Sequence, residues 1–89
     1  MANYLLIRHN CRSFAEWKPA YDAHLASRQA AGLTQKYVLQ STQDPTEVVI
    51  LFEVADPGKA KAMSESADLR EAMQKAGVVG KPDMYFLHG

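Results

Sequence analysis

The chain has 89 residues, enough for one small domain that buries only a modest core. It is 47% hydrophobic and 22% charged, and its ten basic residues balance ten acidic ones, which argues against nucleic acid or an anionic membrane surface as the main partner. The single cysteine, Cys11, rules out an intrachain disulfide and fits a reducing compartment. No charged-then-apolar signal opens the chain, and no apolar run approaches the length of a membrane span, so a soluble cytoplasmic protein is expected.

Residues 3–10 alternate, with Asn3, Leu5, Ile7 and His9 against Tyr4, Leu6, Arg8 and Asn10, the period of a strand. Ser13 and Glu16 have the spacing of a capping box. The helix beyond them is predicted to run to about Ala31, where Gly32 stops it. A step of about 100° per residue places Phe14, Tyr21 and Leu25 on one stripe, with Trp17, His24 and Arg28 along its edge. An interior proline costs about 3 kcal/mol, so Pro19 predicts a kink or a helix that starts there.

Residues 33–43 read as a second strand, with Tyr37, Leu39 and Ser41 alternating against Lys36, Val38, Gln40 and Thr42. Asp44-Pro45 supplies turn chemistry, and the third strand, 46–54, makes a hairpin with the second. Its core, Val48 to Val54, is the longest apolar run in the chain, broken only by Glu53. Asp56 and Pro57 then cap a helix with Ala60 and Met63 as its apolar points. Ser64-Glu65-Ser66 breaks it, and Ser66 caps a further helix in which Leu69, Ala72, Met73 and Ala76 recur at helical spacing until Gly77. Residues 82–88 read as the last strand.

Strand–helix–strand, a hairpin, then helix–strand defines an α+β, ferredoxin-like βαββαβ domain over residues 1–89. The expected sheet is four-stranded and antiparallel, in the order 4-1-3-2, with the helices on one face. The apolar third strand then lies inside. Val48, Ile50, Phe52 and Val54 are assigned to the helix face, and Glu47, Val49, Leu51 and Glu53 to the other. Val49 and Leu51 are poor surface residues across a bare sheet. A second copy packed sheet to sheet is the simplest cover, so a homodimer is predicted. Glu53 reads either as a buried base or, the favoured reading, as half of an ion pair at that interface, with Arg8 a candidate partner.

The element order, the Ala31-Gly32-Leu33 helix exit, Asp44-Pro45 before the apolar strand and the stretch Ser66 to Val78 together carry a resemblance. Over essentially the whole chain the sequence resembles the dimeric α+β barrel superfamily, and within it the antibiotic-biosynthesis-monooxygenase-like and cyclase-like small proteins. The resemblance implies a ligand cavity between sheet and helices in each subunit and a shared barrel at the dimer interface. Such relatives include cofactor-free monooxygenases of aromatic polyketides, polyketide cyclases and haem-degrading enzymes. The haem-degrading pattern is not carried over, because Trp17 stands on the first helix rather than in the later position that branch uses.

Trp17, Tyr21, His24 and Arg28 recur at helical spacing and suit an aromatic ligand: a stacking ring, a phenol hydrogen bond and a proton acceptor. The competing reading is that Trp17 and Tyr21 pack the core and His24 is solvated. His9 ends the first strand on the helix side, as a second candidate base or an exposed strand-end histidine. Phe52 floors the same region, and His88 is read as a terminal residue without a role. The candidate site is therefore His24 and His9 as bases, with Trp17, Tyr21, Arg28 and Phe52 around a small hydrophobic or aromatic molecule. The three histidines lack metal-ligand spacing, and no phosphate-cradling glycine loop or Gly-x-Ser-x-Gly elbow is present, so no metal or bound cofactor is expected. Two functions are then open: a cofactor-free monooxygenase or cyclase/isomerase, or a non-catalytic small-ligand or stress-related dimer. An open cavity holding a perturbed histidine favours the first. An interior filled by Trp17, Phe52 and Met63 favours the second.

Overall fold

A computed structural model describes residues 2–89. The chain runs β1 (Asn3–Cys11), α1 (Phe14–Ala23), α2 (Leu25–Ala30), β2 (Leu33–Gln40), β3 (Glu47–Val54), α3 (Pro57–Ser64), α4 (Ala67–Lys75) and β4 (Val78–His88). The four strands form one antiparallel sheet in the order β2-β3-β1-β4, which is the expected 4-1-3-2. Alternation sorts the side chains as anticipated. Leu5, Ile7, His9 and Cys11 on β1, and Val48, Ile50, Phe52 and Val54 on β3, are buried beneath the helices.

The caps behave as local chemistry dictates. Ser13, Asp56 and Ser66 each accept a hydrogen bond from the backbone amide three residues on, and Pro57 takes the first turn of α3. Glu16 does not reciprocate toward Ser13; its carboxylate accepts from Arg12 Nη2 at 2.7 Å. Gly32 and Gly77 lie just past α2 and α4 with φ of 76° and 85°, backbone that other residues adopt only at a cost.

Four expectations need correction. The first helix continues through Pro19 and breaks instead at His24, where φ and ψ are −92° and 11° and the amide bonds back to Tyr21 and Asp22. Leu25 is exposed and Arg28 is buried, so the inward stripe is Trp17, Tyr21 and Arg28 rather than Phe14, Tyr21 and Leu25. Second, β4 begins at Val78, not Pro82. Opposite His9 the pairing skips from Asp83 to Val79, leaving Gly80, Lys81 and Pro82 as a bulge where a proline removes no ladder bond.

Third, β2 ends at Gln40 rather than residue 43, and Lys36 is an extra residue in its pairing with β3. That bulge lets Leu33 point into the core while Tyr37 and Leu39 point away from the helices. Fourth, Glu53 pairs with Lys36 at 3.0 Å. Arg8 instead bonds Glu47 from Nε at 2.8 Å and Asp83 at 3.1 Å, because the register sets Arg8 opposite Val49 and Asp83, four rungs from Glu53.

The face away from the helices is apolar along its middle. Tyr4, Leu6, Val49 and Leu51 are only half-buried. Tyr37, Leu39, Tyr85 and Leu87 are 60%, 53%, 53% and 46% exposed. The Arg8–Glu47–Asp83 cluster edges this strip on one side.

Candidate functional site

Between the sheet and the helices lies a cavity of about 340 Å³. Ile7, His9, Ile50 and Phe52 form its floor from β1 and β3. One wall comes from α1 and α2, and the other from Met63, Leu69 and Met73 on α3 and α4. The volume falls in the range of small-ligand sites, roughly 300–1,000 Å³. An apolar cavity of about 150 Å³ holds one benzene, so this one suits roughly two fused rings.

The α1–α2 wall is a stacked series. Trp17 and Tyr21, one turn apart, have ring centroids 4.7 Å apart at 24°. The Arg28 guanidinium lies on the far side of Tyr21, 3.7 Å from its centroid. At the other end the His9 ring sits 5.4 Å from Trp17, tilted by 59°, with Phe14 also against the indole. Helical spacing aligns Trp17 with Tyr21, and Arg28, seven residues beyond Tyr21, continues the same stripe across the break at His24.

His9 is 3% exposed, and among the described residues its Nδ1 has no hydrogen-bond partner. Burial pushes its pKa below the ordinary histidine value; the Asn10 backbone acts the other way, and the charge of Arg8 adds to the lowering. Burial therefore favours the neutral imidazole. Tyr21 donates its hydroxyl to Gln35 Oε1 at 2.9 Å, and burial raises its pKa. Its contribution to the cavity is thus the ring, since the phenol proton is already committed. Arg28 donates from Nη1 to the Tyr21 carbonyl at 2.6 Å, and burial lowers its pKa.

All six candidate residues, His9, Trp17, Tyr21, His24, Arg28 and Phe52, line the same cavity. They differ in character. His9, Trp17, Tyr21, Arg28 and Phe52 are buried, whereas His24 is half-buried at the helix break and makes no capping bond from its side chain. Leu69 and Met73 also line the cavity and were not singled out from the sequence, whereas Met63 was placed beside Trp17 and Phe52. Their helical spacing is visible in the chain, but spacing alone does not distinguish a cavity wall from a filled core. Cys11 is buried, donates to the Thr46 carbonyl at 3.4 Å and has its pKa raised by burial, which keeps it a thiol. Among the described residues no helix is long and apolar enough to cross a membrane.

No family model matches the chain, and no curated protein matches it in sequence. Solved structures do match in fold. An antibiotic biosynthesis monooxygenase-like protein of Bordetella bronchiseptica superposes with a TM-score of 0.78 at 11% identity, over 100% of this chain and 98% of its own. The ActVA-Orf6 monooxygenase of Streptomyces coelicolor, solved with nanaomycin D, matches at 0.67 and 19% identity over 99% and 87%. SnoaB, a cofactor-independent oxygenase of Streptomyces nogalater, matches at 0.70 and 10% identity over 99% and 94%. The chain shares the ferredoxin-like fold of the antibiotic biosynthesis monooxygenase-like proteins along its whole length.

Proposed function

We propose that this protein is a cytoplasmic homodimer that binds a small aromatic or polyketide-like molecule in the cavity and oxygenates or cyclises it without a bound cofactor. The observation that carries the reading is His9: a buried imidazole with an unpartnered nitrogen, in the floor of an open apolar cavity beside a column of rings. An electron-rich ring stacked there and deprotonated at an acidic position becomes a better electron donor to dioxygen. In an oxygenation of a ring methylene, one oxygen atom enters the substrate as a carbonyl and the other leaves as water with the two hydrogens removed. The same proton transfer, without dioxygen, starts a cyclisation or isomerisation. His24 stands at the half-buried end of the wall as a second base. The fold shared with a cofactor-independent oxygenase supports the class.

The dimer rests on the open sheet face. Covering apolar surface contributes about 25 cal/mol per Å² before association costs, and this strip spans all four strands. A reducing cytoplasm suits the buried Cys11 thiol. A second reading, a non-catalytic binding protein, is favoured by Tyr21, whose hydroxyl is spent on Gln35 rather than offered to a ligand.

The test is aerobic incubation of the metal-stripped protein with a panel of two- and three-ring hydroquinones and phenols. Dioxygen uptake is recorded together with product mass, and isomerised product is scored under anaerobic conditions. Turnover that disappears in His9→Phe supports catalysis. Saturable binding with no turnover in any condition overturns catalysis in favour of the binding role.

A further inference from the structure

Arg28 makes no ion pair among the described residues; the Asp22 carboxylate acts on it only at longer range. Arg28 is 8% exposed and lines an apolar cavity. Among the described residues no carboxylate forms an ion pair with it, although Arg8, Arg12, Lys18 and Lys36 all have acidic partners. Its protein contacts are the Tyr21 carbonyl and the Tyr21 ring face. Asp68, the carboxylate among the lining residues, is on α4 and unpaired with it. Buried charges are ordinarily paired, because an unpaired one forfeits hydration without recovering it. The planar guanidinium keeps N–H groups suited to a carboxylate fork, and among the described residues no other acceptor takes them.

The opposite end of the ring series carries a complementary unmet hydrogen bond. His9 lines the cavity there, while its Nδ1 is fully enclosed and, among the described residues, without a partner; a turn of the ring about its χ2 bond brings that nitrogen to the cavity, where a neutral imidazole nitrogen either donates or accepts according to its tautomer. A ligand hydroxyl satisfies both cases; a carbonyl satisfies only one. Between the two ends stand Trp17 and Tyr21, whose stacked rings favour a flat aromatic body.

We propose that the cavity is selective for a hydroxylated aromatic carboxylic acid of about two rings, its carboxylate paired with Arg28 and its hydroxyl bonded to His9. This assignment rests on the functional reading above and names the substrate class of that same site. The acid end anchors the molecule, and the hydroxylated ring lies at the neutral imidazole where a proton is exchanged.

Trp17 is the chain's only tryptophan and lines the cavity, so occupancy is read from its intrinsic fluorescence, with calorimetry as a second measurement. The probes are a hydroxynaphthoate with its substituents at opposite ends, its methyl ester, and the naphthoate lacking the hydroxyl. The free acid is expected to bind about ten- to a hundredfold more tightly than the ester, the range for a charge-assisted hydrogen bond. In Arg28→Gln that preference disappears, acid and ester binding with equal affinity. Arg28→Lys, which preserves the charge and guards against a folding artefact, retains part of it. Removing the hydroxyl weakens binding several-fold in the wild type and has no effect in His9→Phe. Equal binding of acid and ester, with turnover of neutral phenols intact, overturns the acid assignment and leaves the catalytic reading standing. Failure of every probe to bind overturns both.

Discussion

Leu51→Glu tests the dimer at its centre. Leu51 lies on β3, opposite Leu6 of β1 and Tyr37 of β2, in the middle of the open face. It is half-buried within one subunit, so the fold tolerates the change better than it would at Phe52, which is 2% exposed. Burying a leucine side chain stabilises by about 1.5–3 kcal/mol. With the side chain already half-buried in one subunit, about half of that is at stake in each copy; a twofold interface contains the position twice, giving a loss of about 1.5–3 kcal/mol, which weakens association by roughly 10–10²-fold. Desolvating two introduced carboxylates adds to this. Sedimentation velocity over a concentration series reads the outcome, and circular dichroism checks that the monomer remains folded. The wild type is expected as a dimer at micromolar concentration and the variant as a folded monomer. A monomeric wild type refutes the dimer itself. An unchanged dimer in Leu51→Glu refutes the choice of face.

The lowered pKa of His9 predicts a signed pH effect. The unfolded chain takes up the proton at the ordinary histidine pKa of about 6.5 and the folded chain only at lower pH, so stability is fully present above that value and falls as pH drops below it. Comparing melting temperatures between pH 7 and 5, His9→Phe should show a shallower decline than the wild type; equal slopes would contradict a buried neutral imidazole. Phe52→Ala should destabilise by about 3–5 kcal/mol in urea titration while admitting bulkier ligands, since the same ring is core and cavity floor. Gly77→Ala should lower stability by about 1–2 kcal/mol, because φ of 85° is unfavourable for alanine and its Cβ would meet Arg12 Nη2 at 3.2 Å; a neutral result would refute that left-handed geometry.

Legibility in the sequence tracked the range of the interaction. Strand alternation, the Ser13, Asp56 and Ser66 caps, and the Gly32 and Gly77 exits depend on residues a few positions apart, and these were readable. The central position of β3 was readable too, because only an inner strand can hide apolar residues on both faces. The helix break at His24 was not. It carries no glycine or proline signal, whereas Pro19, which does, sits in continuous helix. The bulges at Lys36 and at Gly80 to Pro82 belong to pairs of strands, so no single stretch declares them. Arg28 was readable as a lining residue, because seven positions beyond Tyr21 it lies on the same helical stripe. The partners of Arg8 and Glu53 were missed because only the register, not charge, decides which carboxylate lies within reach.

The joint between α1 and α2 has one further consequence. The Tyr21 carbonyl there accepts twice, from the His24 amide at 3.1 Å and from Arg28 Nη1 at 2.6 Å. One guanidinium thus closes the end of α1 and lines the cavity. A negatively charged guest that holds Arg28 also holds that joint, so occupancy should slow amide exchange across residues 21–28. The seam in the longer helical stretch would then stiffen when the cavity fills, a mechanical record of binding written into the backbone beside it.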